Sequence, residues 1–556
     1  MIKARLLLCL FLLFFVGIIV KLFFLQILNE KGYVADYLTT RPVHAERGII
    51  YDRNQSPMAV NQMTYQLFAE PKKLADLPGT ISKLKDILRM ETASLEARMD
   101  PKKDWVRVAI NLDKSTRDQI NNLNINGLGF DNESDRYYPE ASLSAHILGF
   151  VGKDDQGDSV GYFGIEGFYD KELAGLPGLI RSERDLVGRP IFAGTQERVD
   201  PENGRDLILT IDKAVQNIVK KKMVSAMLQY QAKQGCAIIA DPMTMEILSL
   251  VCLPDFDPDN YYKFADSSYK NPIISSLYEP GSTFKPLIMA AGIEARAIRP
   301  DEEFNEDGPV EISGYKIQTW NNQYGGTTNM TQVLERSSNV GMVYIGNKLG
   351  EKKLYDAIKN YGFGSPTGID LQGETGGYIP PRSDWHPIDY ATATFGQGIA
   401  VTPMQLITAF SSIVNGGNLM TPYVVKKTVD DQDTFKNKSS HVVRKVLSER
   451  TTEILKKMLT DTVEHGEFKW ARPKGYTMGG KTGTAQVAIA GHYDPSKTIA
   501  SFVGFAPVDK PKFIGLVVLD QPKSSIWGAE TAAPLFFDIA KDLLVYYNIP
   551  PDKVEE

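Results

Sequence analysis

Ser282 and Lys285 stand three residues apart in Pro280-Gly281-Ser282-Thr283-Phe284-Lys285, and an apolar stretch follows through Ile293. Pro-Gly ends a loop, so the spacing predicts a helix whose first turn holds the serine and whose i+3 lysine shares its face. Such a pair offers a hydroxyl nucleophile and an amine to take its proton, and a helix N-terminus offers backbone N–H groups to an oxyanion. Spacing alone carries little: Ser-x-x-Lys recurs about twice by chance in a chain of this length. Ser82/Lys85 and Ser267/Lys270 repeat it and read as solvated surface. Ser282 differs in its Pro-Gly lead, its apolar helix and two later segments, Ser337-Ser338-Asn339 and Lys481-Thr482-Gly483-Thr484. Of the six histidines, none lies in an HExxH pair or beside a GxSxG elbow, so zinc proteases and α/β-hydrolases lack their usual starting points.

The elements that must position these residues begin near Gly204. Asp212 can cap a helix from Lys213 to about Gln229, followed by strand-like GCAIIADP, a turn, and EILSLVCLP. Three more strands are expected at Thr482–Ala488, Ile499–Phe505 and Phe513–Leu519, then a closing helix from about Ala532 to Tyr546. Residues 260–465 read as mostly helical or irregular. Strands from both ends around a helical middle imply one α+β domain with a mostly antiparallel sheet. Upstream, Arg41–Val60 looks extended, Lys72–Leu123 is charged and helix-favouring, and Ile147–Gly178 is glycine-rich and strand-like. That region reads as an elongated module with a helical insertion, carrying no metal motif or phosphate loop and suited to positioning or partner contact.

A chain of 556 residues exceeds one hydrophobic core, so two or three domains are expected. The boundaries fall at 1–5 for a cytoplasmic N-terminus, 6–28 for a membrane anchor, 29–203 for the N-terminal module, 204–548 for the catalytic domain and 549–556 for a polar tail. The run from Leu6 to Leu28, interrupted only by Gly17, Lys21 and Gln26, is long enough to cross a bilayer of roughly 30 Å. No small-x-small cleavage site follows it, so retention as a single-pass anchor is expected. Lys3 and Arg5 precede the span and Glu30 and Lys31 after it cancel, which places the N-terminus inside and everything from about Asn29 outside. A net charge of -6, with 62 basic residues scattered along the chain, gives no footprint for nucleic acid. With only three cysteines there is no disulfide scaffold. Cys236 and Cys252 lie on the two strands of one hairpin and can pair if the register sets them opposite; a slip of one residue separates them.

Ser-x-x-Lys, a Ser-x-Asn type triplet and Lys-Thr-Gly, in this order, are the set of penicillin-binding proteins and class A β-lactamases. The chain resembles a class B penicillin-binding protein, most closely the cell-division (septal) peptidoglycan D,D-transpeptidases of the FtsI family. Further stretches of family type are Arg47-Gly48 with Asp52-Arg53, Gly164-Ile165-Glu166, Asp257-Pro258, Thr367 to Asp370, Phe395 to Gly398 with Thr402-Pro403, and Phe502 to Pro507. The resemblance implies a penicillin-binding, serine β-lactamase-like transpeptidase domain after an N-terminal pedestal or dimerisation-type module. It implies Ser282 as nucleophile on a stem pentapeptide, Lys285 as base with its pKa depressed near Lys481, Ser337 as proton relay and Asn339 as holder of the donor amide and of Lys285. It assigns positive potential to Lys481, substrate binding to Thr482, Gly483 and Thr484, and the oxyanion hole to the N–H groups of Ser282 and Thr484. No cofactor or metal is implied. Partners by resemblance are peptidoglycan stem peptides, β-lactams as inhibitors, a membrane glycan polymerase of FtsW type and single-span division proteins. One departure is visible: Thr244-Met245 stands where the family commonly has Thr-Gly, which leaves that turn's geometry open.

The alternatives are an elongation-type transpeptidase of the same class, a β-lactamase or antibiotic sensor, and a non-catalytic division scaffold. A β-lactamase needs an extra base for deacylation, and no convincing candidate stands out. A scaffold has no need of Ser282, Lys285, Asn339 and Lys481 together.

Overall fold

In a computed structural model, residues 2–24, 38–155, 158–183, 196–430, 432, 434–489 and 492–552 are described. The chain divides into two compact units, residues 1–48 with 171–205, and residues 49–170 with 206–556. In the first, helix α1 (Ile2–Phe23) is apolar on all sides from Leu6 to Val20 and solvent-exposed over that stretch, and it is long enough to cross a membrane. The expected end of the span, 25–28, lies outside the described residues. An antiparallel sheet in the same unit joins Leu38–Val43 to Gly178–Glu183 and Gln196–Val199.

The second unit holds two large sheets. In one, Asp206–Leu209 runs parallel to Ile50–Tyr51, which pairs with Pro57–Ala69; Val106–Leu112 and Leu128–Tyr137 both pair with that long strand. Helices Leu77–Leu88 and Thr92–Arg98 cover it through Leu84, Leu95 and Met99. The helical insertion expected over Lys72–Leu123 is therefore interrupted by a strand: VRVAINL buries Val106 and Val108, and the charges around it hide that alternation. Likewise Gly164–Phe168 is helical, not strand-like.

Inside this part Arg136 donates from Nε to Glu166 Oε1 at 2.6 Å, with side chains 2% and 0% exposed. Removing one member of a buried pair strands the other charge in a poorly solvating interior. Glu166→Ala is expected to cost about 3–5 kcal/mol, read as a lower midpoint of urea unfolding; an unmoved midpoint would show that the pair contributes nothing.

The other sheet builds the catalytic half. Helix α2 (Lys213–Tyr230) is capped as expected by Asp212, whose carboxylate accepts from Ala214 N and Val215 N. Strands β1 (Gln234–Ala240) and β2 (Ile247–Leu253) form the hairpin, with Cys236 opposite Cys252 and the two joined in a disulfide. At the turn, Met245 takes φ +57 with its side chain buried, so a non-glycine residue occupies the left-handed position. Helix α3 (Lys285–Glu294) is buried all round from Lys285 to Ile293 and packs among α4 (Asn339–Leu349), α5 (Pro403–Val414) and α6 (Glu449–His465). Strands β3 (Gly479–Ile489), β4 (His492–Ala506) and β5 (Phe513–Asp520) complete an antiparallel sheet in the order β2-β1-β5-β4-β3. Helix α7 (Ala532–Tyr546) packs with α2 against this sheet, where Phe502, Phe536 and Phe537 form the core. The five expected strands are present in one antiparallel sheet, and β3 stands at its edge.

Candidate active site

Ser282 sits in a 3-10 turn, Gly281–Phe284, that leads into α3, and not in the α-helix itself. Three residues per turn bring positions i and i+3 into line, so the tighter helix aligns Ser282 with Lys285 better than an α-turn would. Gly281 has φ +56, and its N–H donates to Gly396 O at 3.1 Å. Gly396 has φ +79, and a Cβ there would lie 2.4 Å from Gly281 O. The Phe395 to Gly398 stretch thus acts as a close-fitting brace behind the serine. Lys285 is fully buried because every face of α3 is packed.

Buried amines need partners. Lys285 Nζ donates to Ser337 O at 2.5 Å and to Asn339 Oδ1 at 2.8 Å, with Ser337 Oγ at 3.2 Å. Ser337 holds φ +54, a conformation uncommon for a side-chain-bearing residue, and this turns both its carbonyl and its hydroxyl toward the lysine. Ser338 is buried, caps α4 by accepting from Gly341 N at 2.9 Å, and bonds through its hydroxyl to Glu306. The cap fixes Asn339 at the first position of α4, where its Nδ2 donates to Gln318 O at 2.9 Å.

Strand β3 passes the nucleophile turn with its outer edge free of sheet partners, so alternate backbone N–H groups face the cleft side. Lys481 is buried on this strand, 3.3 Å from Thr482 Oγ1. Thr484 Oγ1 accepts from Gly528 N at 3.0 Å. A Cβ at Gly483 would meet Ser501 Oγ at 2.5 Å, Thr283 Cγ2 at 2.9 Å and Pro280 O at 3.1 Å. Gly483→Ala is therefore expected to push β3 from the serine turn and slow acylation by at least about tenfold, as a misplacement near 1 Å does. Stopped-flow acylation by a β-lactam checks it, and a rate equal to wild type would refute the packing constraint.

One cleft is bordered by Ser282, Ser337, Asn339, Thr482 and Thr484, with Trp320, Phe395, Gln397, Glu467 and Trp527 completing its walls. Lys285 and Lys481 are buried, and Gly483 faces the serine turn. Trp320 and Trp527 meet edge to face at 5.0 Å. Burial, then the charge of Lys481, pushes the Lys285 amine well below the ordinary lysine range, against an opposing pull from Glu467 and Glu306. Burial lowers Lys481 to about 8, opposed by Glu467. Glu467 is raised by desolvation and drawn back down by Lys481 and by the Trp320 indole N–H. The sequence reading missed Glu467, Trp320, Trp527 and Glu306. No local pattern marks them, whereas Gly396 was a visible sign of close backbone approach.

A serine turn, a buried amine and a free strand edge around one cleft define a serine acyltransferase. The family model for the penicillin binding protein transpeptidase domain matches residues 235–541, and that for the penicillin-binding protein dimerisation domain matches 42–209. Stage V sporulation protein D of Bacillus subtilis is 35% identical, over 92% of this chain and 80% of its own length. Peptidoglycan D,D-transpeptidase FtsI of Escherichia coli is 30% identical, over 93% of this chain and 86% of its own. The crystal structure of a peptidoglycan synthetase from Bifidobacterium adolescentis superposes with a TM-score of 0.76 at 26% identity, covering 93% of this chain and 98% of that one. The chain belongs to the FtsI family of class B penicillin-binding proteins and is a serine-type D,D-transpeptidase; among the described residues one helix, α1, is long and apolar enough to cross a membrane.

Proposed function

We propose that Ser282 attacks the carbonyl of the penultimate D-alanine of a peptidoglycan stem pentapeptide, expels the terminal D-alanine, and passes the acyl group to an amine of a second stem peptide. The observation that carries this is the buried Lys285 amine held between Ser337 and Asn339 one 3-10 turn from the serine. In its neutral form two amine hydrogens go to Ser337 O and Asn339 Oδ1, which leaves the lone pair to accept the Ser282 proton. Ser337 Oγ relays that proton onward, and Asn339 also holds the donor amide. Lys481 supplies positive potential, Thr482 and Thr484 hydroxyls bind the substrate carboxylate beside Gly483, and the N–H groups of Ser282 and Thr484 form the oxyanion hole. β-Lactams acylate the same serine.

The setting is septal wall synthesis. Lys3 and Arg5 keep the N-terminus inside, so the catalytic domain, 204–548, works outside the cytoplasmic membrane, carried by the 29–203 module. A glycan polymerase of FtsW type and single-span division proteins are the partners, met through the anchor and that module. Identity to a protein named for sporulation favours a second setting for the same chemistry, in spore formation. Detergent-solubilised full-length protein, given a donor peptide ending in D-alanyl-D-alanine and an amine acceptor, should release one D-alanine per cross-link formed. Folded protein that releases none would overturn the enzymatic reading. A fluorescent fusion gathered at division sites supports the septal role; one seen only in sporulating cells moves it to the second setting.

A further inference from the structure

Beside the catalytic cleft, which encloses about 110 Å³, lies a larger cavity of about 600 Å³. Along two segments of chain, neighbouring residues line one space or the other. Trp320 borders the cleft while Thr319 and Asn321 border the cavity; Ser337 and Asn339 border the cleft while Ser338 borders the cavity. Glu467 borders both. The volume falls in the range of small-ligand sites, about 300–1,000 Å³. Its lining carries charges of both signs: Glu335, held 3.1 Å from His465, and Glu467 on one hand, Arg336 and Lys469 on the other, with Trp470 65% exposed.

We propose that this cavity receives the acceptor, the amine-bearing end of a second stem peptide, and that Glu335 and Glu467 bind its ammonium group. The assignment rests on the transpeptidase reading given above. The acyl donor and the acceptor must both reach the Ser282 ester, and the donor takes the β3 edge, so the acceptor needs a second approach. The cavity supplies it, with Glu467 at the junction. Carboxylates suit an ammonium, and Arg336 and Lys469 suit a neighbouring carboxylate; a neutral sugar would call for neither. The bound ammonium gives one proton to solvent, and its nitrogen then attacks the ester carbonyl. The new C–N bond forms, the C–Oγ bond to Ser282 breaks, and the second amine proton returns to the serine oxygen through Lys285.

The test is the ratio of cross-linked to hydrolysed donor, measured on detergent-solubilised full-length protein with a D-alanyl-D-alanine donor and a tripeptide whose third residue carries a free side-chain amine. Glu335→Gln should lower that ratio about tenfold, the effect of losing one charge-assisted contact, and Trp470→Ala, which removes an exposed ring from the cavity wall, should lower it as well. Covalent labelling with fluorescent penicillin, which requires no acceptor, reports whether each variant is folded. Where Glu335→Gln does not label, the exposed Trp470 site gives the reading. Ratios equal to wild type in labelled variants overturn the proposal, as does a ratio that peptide-free glycan chains lower by competition. Wild-type protein that neither labels nor releases D-alanine refutes the transpeptidase reading instead.

Discussion

Ser282→Ala protein is expected to take up no covalent fluorescent penicillin, while Ser267→Ala should label as fully as the unchanged chain. The two serines share the same Ser-x-x-Lys spacing and differ in everything around it. Ser267 is exposed in a short 3-10 turn, whereas Ser282 is half-buried on the turn braced by Gly396 and β3. Acylation forms a bond to Oγ, so deleting that atom leaves only reversible binding, which denaturing electrophoresis removes. In enzymes built around one nucleophile such a deletion costs about 10⁶-fold in turnover. Gel fluorescence after denaturation reads the outcome; residual label on Ser282→Ala at the wild-type level would move the nucleophile elsewhere.

Lys285→Met is expected to slow acylation by about 10²–10⁴-fold, the usual contribution of a positioned base, and to change the pH profile. The neutral amine is the active form, and its fraction rises with pH through the depressed pKa of Lys285, giving the wild type an ascending limb. Lys481 acts while charged, and its charge is lost as pH rises through about 8, giving a descending limb. The wild-type rate therefore carries one limb from each lysine, rising with Lys285 and falling with Lys481. In Lys285→Met the ascending limb disappears, because its titrating group is gone, and the descending limb stays. Stopped-flow acylation over a pH series on both sides of about 8 separates the two. A variant within tenfold of wild type that keeps its ascending limb would dismiss Lys285 as the base.

The catalytic half was largely legible because its signals are local. Asp212 caps α2 where a capping residue was expected, the hairpin register brings Cys236 opposite Cys252, and α7 spans the expected Ala532–Tyr546. Three motifs far apart in the chain converge on one cleft because two of them stand at helix starts and the third on an edge strand. What stayed hidden depends on tertiary context. The strand Val106–Leu112 is flanked by charges that favour helix, and only its pairing with Pro57–Ala69 selects the extended form. The left-handed backbone of Ser337 and Met245 cannot be read from residue type, since both positions carry a side chain. Glu467 and Trp320 meet across the fold, and neither lies in a pattern.

The order β2-β1-β5-β4-β3 has a consequence for biosynthesis. Ile238 on β1 pairs with Leu516 on β5, so the middle of this sheet closes only when nearly the whole chain has been made. Until then the edge of β1 has no neighbour, and strand edges of that kind invite wrong partners. A chain truncated after Gln486 would carry all three motifs yet lack β4 and β5, the strands that join β3 to the rest. Premature termination therefore yields a product with the full catalytic signature and nothing to hold Lys481 beside Ser282. Folding of this half is bound to wait for the last strands, whatever the speed of synthesis.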